Sequence, residues 1–218
     1  NLCFNILFLI LALMCIIPVI FVFMISISSE QSLATYGYRF IPDSFSADAY
    51  LLLWNERDEI FSSLFASVFV TITGTILGVA LTSTMGYVLS RPDYKLKRFL
   101  TWVIFIPMIF GGGLVDSYVV IANLLGWRNT FLVLTVPLAV SSFNIVISRT
   151  FFQTTIPDSV IESAEIDGAT QLQIFTRIVL PISKPVLATI GLFLSFGYWN
   201  DWFQASLYIN EKKYIGLQ

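Results

Sequence analysis

The sequence predicts an all-α protein, a polytopic bundle of membrane-spanning helices. Hydrophobic residues make up 56% of the 218 residues and charged residues only 12%, and the mean hydropathy is positive. Water-soluble domains of this size are far less apolar. The apolar residues also fall into five long runs, and a helix of about 20 apolar residues crosses a hydrocarbon core of ~30 Å. We therefore expect five spans.

The first run, residues 6–25, carries no charge and is interrupted only by Pro18. It is longer than the apolar segment of a signal peptide, roughly 7–15 residues, and no A-x-A cleavage site follows it. We interpret it as a span. Because the chain starts at Asn1 and is apolar from Leu2, we expect it to be part of a longer protein. Residues 1–60 should form this helix and an extracytoplasmic loop.

The second run, residues 61–89, has small residues at every fourth position, Gly74, Gly78, Thr82 and Gly86. Lipid offers no hydrophobic drive for helix association, so helices in membranes approach each other through rows of small residues. We predict that this row packs tightly against another helix.

The remaining runs, residues 99–123, 131–152 and 185–209, contain polar residues at membrane depth. In the first of them Gly111–Gly113 precede Asp116. A charged group in hydrocarbon is costly, and broken backbone is tolerated where it is buried in protein or lines a wet cavity. A break beside a transport pathway and a simple end-of-helix turn both remain open here.

The basic residues predict the orientation, because short cytoplasmic loops carry an excess of Lys and Arg. The densest cluster is RPDYKLKR, residues 91–98. If these residues are cytoplasmic, so is the segment 149–184 after two further crossings. The loop 28–60 is then outside, and its acids outnumber its bases. The acids are Glu30, Asp43, Asp48, Glu56, Asp58 and Glu59. The N-terminal end should be cytoplasmic.

The cytoplasmic segment at about 154–184 carries the signals of two short helices. Pro157 suits a first helical position, and Gly168 suits the left-handed residue that ends the first helix. Thr170 with Gln173 forms a capping box that would start the second helix. We expect Pro181 to stop it.

The first short helix has the composition of a protein-docking helix. Glu162, Glu165 and Asp167 disfavour the negatively charged cytoplasmic leaflet, and Ser163 and Ala164 leave the backbone approachable. Apolar contacts to a protein cleft would come from Val160, Ile161 and Ile166. A solvated linker helix is the alternative.

These residues resemble the membrane-spanning permease subunits of binding-protein-dependent ABC importers. Their loop carries E-A-A, three residues, G, nine residues, I, one residue and L-P, and the only departure here is Ser163 for the first Ala. The matching positions are Glu162, Ser163, Ala164, Gly168, Ile178, Leu180 and Pro181. Residues 85–114, 151–169 and 197–209 also look like the carbohydrate-uptake branch. Asp116 departs from it, because relatives commonly have Pro there.

The resemblance implies a type I importer permease core over residues 61–218, with a sixth span after residue 218. The loop would be a coupling helix that docks on an ATPase and converts nucleotide-driven closure into rocking of the membrane helices. Glu162 would be a charge partner, Ala164 a contact surface and Gly168 the fixed turn, with Glu165 and Asp167 on the same surface. This chain would hold no cofactor and no catalytic or metal site. It lacks a G-x-x-x-x-G-K-[ST] loop, so ATP and Mg would be used by the partner.

The implied partners are a second permease, a dimeric cytoplasmic ATPase, an extracytoplasmic solute-binding protein, membrane lipid and a sugar, with no nucleic acid. Polar and aromatic residues of the spans are candidates for the substrate pathway, although Trp and Tyr also form interfacial belts. These candidates are Asp116, Tyr118, Asn144, Trp199, Asn200, Asp201 and Trp202.

Two other classes of membrane protein would use the acidic residues within the spans. Asp116 and Asp201 could share a proton as an aspartyl hydrolase dyad, or act as relays in a proton-coupled carrier. The chain has no His, which excludes His-dependent catalysis and His-ligated metal sites within it.

Overall fold

The protein is all-helical, as predicted. The computed structural model describes the backbone of residues 2–210 and the side chains of residues 4–210, and it contains no strand within that range beyond one isolated bridge between Ser28 and Phe45. The chain divides into a unit that ends at Phe61 and a unit that begins at Ser62.

The first unit contains a long apolar helix and an ordered loop. Its helices are α1 (Leu2–Ser26), α2 (Glu30–Tyr36) and α3 (Asp48–Asn55). The Ser29 side chain caps α2 by accepting a hydrogen bond from the Ser32 N–H. The loop folds back on the end of α1, where Ser26 Oγ and the Tyr50 hydroxyl are 2.8 Å apart. This loop is therefore built from specific contacts.

The second unit contains the other helices, the first of which starts just before it. They are α4 (Arg57–Ser90), α5 (Lys97–Ile109), α6 (Gly113–Tyr118), α7 (Phe131–Ala139), α8 (Ser142–Thr155), α9 (Asp158–Ile166), α10 (Gln171–Ile174), α11 (Leu180–Ile182), α12 (Lys184–Trp199) and α13 (Phe203–Tyr208). Two π-helical turns, Val119–Leu124 and Phe175–Val179, extend α6 and join α10 to α11.

Two helices are long and apolar enough to cross a membrane, α1 from Phe4 and α4. Two bent pairs raise the number to four within residues 2–210: α7 with α8, at 44°, and Gln171–Ile182 with α12, at 80°. Pro137 lies in α7 shortly before its break, where it removes one helical N–H donor. The count of five spans, and of a sixth beyond residue 218, remains a prediction.

The third and fifth runs are both broken. An interruption of the third run was expected at Gly111–Gly113, whereas the fifth run was expected to be continuous. α5 ends at Ile109, and Gly113 has a φ of 86°, so α6 starts in a new direction. α12 ends at Trp199, α13 starts at Phe203, and the side chain of Asp201 between them accepts a hydrogen bond from the Gln204 N–H at 3.3 Å. In both places local turn chemistry prevails over the apolar pattern.

The row of small residues on α4 packs against three helices, which confirms the predicted tight contact. A Cβ on Gly74 would lie 2.6 Å from a ring carbon on α12, and one on Gly78 would lie 3.0 Å from a backbone carbonyl of α7. A Cβ on Gly86 would lie 2.7 Å from a side chain of α8. Thr82, between them, is fully buried. The small-residue face of α4 is therefore a packing surface for α7, α8 and α12.

Candidate functional site

α9 is closed at both ends by its own sequence. Pro157 is extended and immediately precedes the helix, one position earlier than predicted, while Asp158 lies in the first turn. At the other end Gly168 has a φ of 79°. The Gly168 N–H donates to Glu165 O and the Ala169 N–H to Ala164 O, the Schellman pattern. The predicted glycine turn is confirmed.

The second short helix starts at the predicted capping box. Thr170 Oγ1 accepts from the Gln173 N–H at 3.4 Å, and Gln173 Oε1 accepts from the Thr170 N–H at 2.8 Å. The helix that Pro181 was expected to stop ends one residue later, at Ile182, and the path bends at Ser183 before α12. Proline is tolerated in the first turn of a helical segment, and Pro181 is the second residue of α11.

The inner face of α9 packs on the chain's own core. Ile161 and Ala164, three residues apart on this face, are 5% and 8% exposed and cluster with Tyr87, Phe152 and Ile174. The assignment of Ala164 and Ile161 to an outer contact surface is therefore wrong. The small Ala164 allows close approach of α9 to its own bundle instead.

Most of the other residues of the predicted docking motif are exposed. Glu162, Ser163, Glu165, Asp167, Gly168 and Pro181 are exposed, and Ile178 and Leu180 are partly buried. Two large apolar side chains stand out from this surface on either side of the glycine turn. Ile166 is 86% exposed and Leu172 is 70% exposed. Leu172 was not predicted as a site residue, although its place inside the capping box, in the first turn of α10, is the signal that could have marked it.

Two contacts join α9 to the end of α4. Arg91 Nη1 lies 3.2 Å from Asp158 Oδ1. The Tyr87 hydroxyl donates to Gln171 Oε1 at 3.2 Å, and Gln171 Nε2 donates to Glu165 Oε1 at 2.6 Å. A cleft of about 390 Å³ lies between these contacts. Tyr87 and Arg91 were not predicted as site residues; Tyr87 lies in the last turn of α4 and Arg91 directly follows the helix.

The candidate pathway residues of the third and fourth runs are separated. Asp116 is exposed on α6, and Asn144 is buried in the first turn of α8. Tyr118 stacks on Tyr208 of α13 with ring centroids 5.6 Å apart. The guanidinium carbon of Arg128 lies 5.8 Å from the centre of the Tyr118 ring. Tyr118 thus fastens α6 to α13.

The residues at the corner between α12 and α13 divide into two kinds. The side chain of Asn200 donates to Phe196 O at 2.9 Å, and the side chain of Asp201 accepts from the Gln204 N–H in the first turn of α13, so both satisfy the local backbone. Trp199 and Trp202 are 41% and 60% exposed and are the side chains free to meet a partner or ligand.

The intramembrane acids show no dyad in the part of the chain that the structure describes. Asp116 and Asp201 lie on different elements, and within residues 2–210 no hydrogen bond joins their carboxylates. The same residues contain no group of three or more His, Cys, Asp or Glu side chains that could hold a metal ion.

An all-helical membrane protein with bent and broken spans has the architecture of a transport permease. The chain belongs to the family of binding-protein-dependent transport system inner membrane components, which residues 78–217 match. The expected membership is therefore confirmed, and with it a multi-pass membrane protein that serves as a transport subunit. The aspartyl hydrolase alternative loses its support.

Named relatives and a solved structure agree with the family. The chain is 40% identical over 200 residues to the polygalacturonan/rhamnogalacturonan transport system permease protein YtcP of Bacillus subtilis, covering 92% of this chain and 69% of that protein. It is 37% identical over 203 residues to Protein LplC of the same organism, covering 93% and 68%. A crystal structure of a bacterial ABC transporter involved in the import of the acidic polysaccharide alginate superposes with a TM-score of 0.87 at 29% identity, over 100% of this chain and 76% of that one.

Proposed function

We propose that this chain is a permease subunit of an ATP-driven importer of sugars or oligosaccharides, with its N-terminal end in the cytoplasm. It forms half of the translocation pathway beside a second permease, and it docks a cytoplasmic ATPase through α9. An extracytoplasmic solute-binding protein delivers the substrate. The observation that carries the docking is the exposed apolar pair on α9 and α10, Ile166 and Leu172.

The surroundings of this pair favour a protein partner. Glu162, Glu165 and Asp167 are exposed on the same short helix and its end, and an anionic leaflet would repel them. Burying Ile166 and Leu172 in a cleft removes apolar surface from water, at about 25 cal/mol per Å². Glu162 then meets a basic side chain of the partner, which gives the contact its orientation.

The energy source belongs to the docked partner. The sequence has no phosphate-binding loop of the form G-x-x-x-x-G-K-[ST]. In this proposal the two ATPase subunits bind Mg²⁺ and hydrolyse ATP, and this chain supplies no cofactor and no catalytic residue. Its part is mechanical, because α9 passes the closure of the ATPase to the membrane helices.

The substrate class rests on the relatives and on the exposed tryptophans. One relative is a polygalacturonan/rhamnogalacturonan transport permease, and the solved structure is of an alginate importer. Trp199 and Trp202 offer flat apolar faces, against which sugar rings can stack. A proton-coupled carrier would use Asp116 and Asp201 instead, and uptake that persists without ATP would favour it.

The proposal is tested by co-purification of the tagged full-length protein from its native membrane. We expect the wild type to retain an ATPase, and Glu162→Lys to retain much less. Glu56→Lys, the same charge change on an exposed residue at the end of α3, is the matched control and should behave as wild type. A wild-type protein that carries no ATPase would overturn the proposal.

A further inference from the structure

We propose that Tyr87 and Arg91, at the end of α4, are positioning residues that clamp α9 at two points, so that α4 and α9 move as one body. The inference rests on the proposed function, in which α9 receives the motion of the ATPase. It identifies α4 as the membrane helix that takes up this motion first.

The first attachment is the ion pair between Arg91 and Asp158. The Arg91 side chain is held in place by its own neighbours as well as by this pair. The guanidinium of Arg91 donates through Nε to Ser90 Oγ at 3.1 Å, and its Cζ lies 5.2 Å from the centre of the Tyr87 ring. Only 14% of the Arg91 side chain is exposed. Its Nη1 then meets Asp158 Oδ1 in the first turn of α9. A guanidinium fixed on several sides loses little conformational freedom on pairing, unlike an ordinary surface pair.

The second attachment is a chain of hydrogen bonds from Tyr87 through Gln171 to Glu165. The Glu165 carboxylate can only accept, so the Gln171 amide must turn its Nε2 toward it and its Oε1 toward the Tyr87 hydroxyl. The Tyr87 ring is 6% exposed, with the rings of Phe152 and Phe175 at 6.3 Å and 5.1 Å. The hydroxyl is therefore presented to Gln171 from a fixed position.

The separation of the two attachments is what makes them a clamp. Asp158 and Glu165 are seven residues apart, about 10 Å along a helix that rises ~1.5 Å per residue, while Tyr87 lies in the last turn of α4 and Arg91 directly follows its last residue. A single attachment would let α9 rotate about it. Apolar packing beneath the helix is non-directional and would also let it slide. Two directed contacts near opposite ends of α9 prevent both movements.

The test uses the complete transporter in lipid vesicles and measures sugar transported per ATP hydrolysed. Tyr87→Phe removes one hydroxyl and keeps the buried ring. We expect it to lower this ratio about 5-fold, the factor that one ordinary hydrogen bond supplies, with the ATPase retained in wild-type amounts. Tyr94→Phe is the matched control. Tyr94 lines the same cleft, and its side chain makes no hydrogen bond within residues 2–210, so its ratio should not change.

A second variant tests the same hydrogen bonds without changing Tyr87. Gln171→Met preserves the size of an exposed side chain and breaks both bonds of the chain. We expect the same lowered ratio, and no further loss when it is combined with Tyr87→Phe, because both changes break one pathway. Equal ratios for wild type, Tyr87→Phe and Gln171→Met would overturn the clamp. Failure of the wild type to bind any ATPase would overturn the proposed function instead.

Discussion

The ring of Tyr198 on α12 fills the space that a side chain at Gly74 on α4 would occupy. The Tyr198 hydroxyl donates a hydrogen bond to the backbone carbonyl of Thr135 on α7. One side chain therefore joins three helices, meeting α4 through its ring atoms and α7 through its hydroxyl. Within a membrane, where apolar burial does not drive helices together, such fitted contacts carry the association.

Gly74→Ala should destabilise the protein, because its Cβ would overlap the Tyr198 ring. We expect a loss of about 1–3 kcal/mol, the usual cost of overpacking, seen as a lower midpoint of thermal unfolding in detergent. Gly197→Ala on α12 is the control, since no atom lies within 4 Å of its added Cβ. Equal midpoints for the two variants would contradict the fitted contact.

Gly168→Val should impair transport with the subunits still assembled. The left-handed backbone at this position, with a φ of 79°, costs an L-residue roughly 1–2 kcal/mol, so the turn between α9 and α10 should shift. Asn tolerates this conformation better than other side chains. We therefore expect uptake to fall in the order Gly, Asn, Val, measured in vesicles with co-purified ATPase as the assembly control. Uptake that is independent of the residue would refute the role of the turn.

Trp202→Ala should reduce sugar uptake without loss of the ATPase. Its indole is 60% exposed at the corner between α12 and α13, and removing it takes away a stacking face. Trp102→Ala is the matched control, because Trp102 is equally exposed on α5. We expect the Michaelis constant for uptake to rise in the first variant and stay constant in the second. Equal effects would assign both residues to the membrane interface.

The orientation predicts which positions a membrane-impermeant maleimide reaches. In a background without Cys3 and Cys15, Asp43→Cys should react from outside and Asp93→Cys from the cytoplasm. Arg128→Cys should react from outside if residues 99–123 cross the membrane despite the break at Gly113. Labelling of Arg128→Cys from the cytoplasm would make that segment re-entrant and would reverse every later crossing.

Features that depend on neighbouring residues could be predicted from the sequence. The capping box at Thr170 and the left-handed turn at Gly168 are local, and both are present as predicted. The small row on α4 could be predicted because its spacing alone places it on one face. The partners of that row could not, since contact between Gly74 and Tyr198 joins positions more than a hundred residues apart.

The direction of a side chain on a short helix was harder to predict. Ala164 belongs to the segment that was predicted to dock, yet it faces inward on the same side as Ile161, three residues earlier. The chain from Tyr87 through Gln171 to Glu165 likewise depends on how three elements meet. Pro181 was expected to end its helix, and the helix runs one residue further, to Ile182.

The bend at Ser183 joins two helical segments nearly at a right angle. Gln171–Ile182 and α12 meet there at 80°, with the Ser183 side chain fully buried at the corner. A force applied along the first arm reaches α12 almost at right angles to its axis. Such a force tilts α12 sideways and hardly pushes it along its length, so Trp199, at the far end of α12, sweeps through an arc.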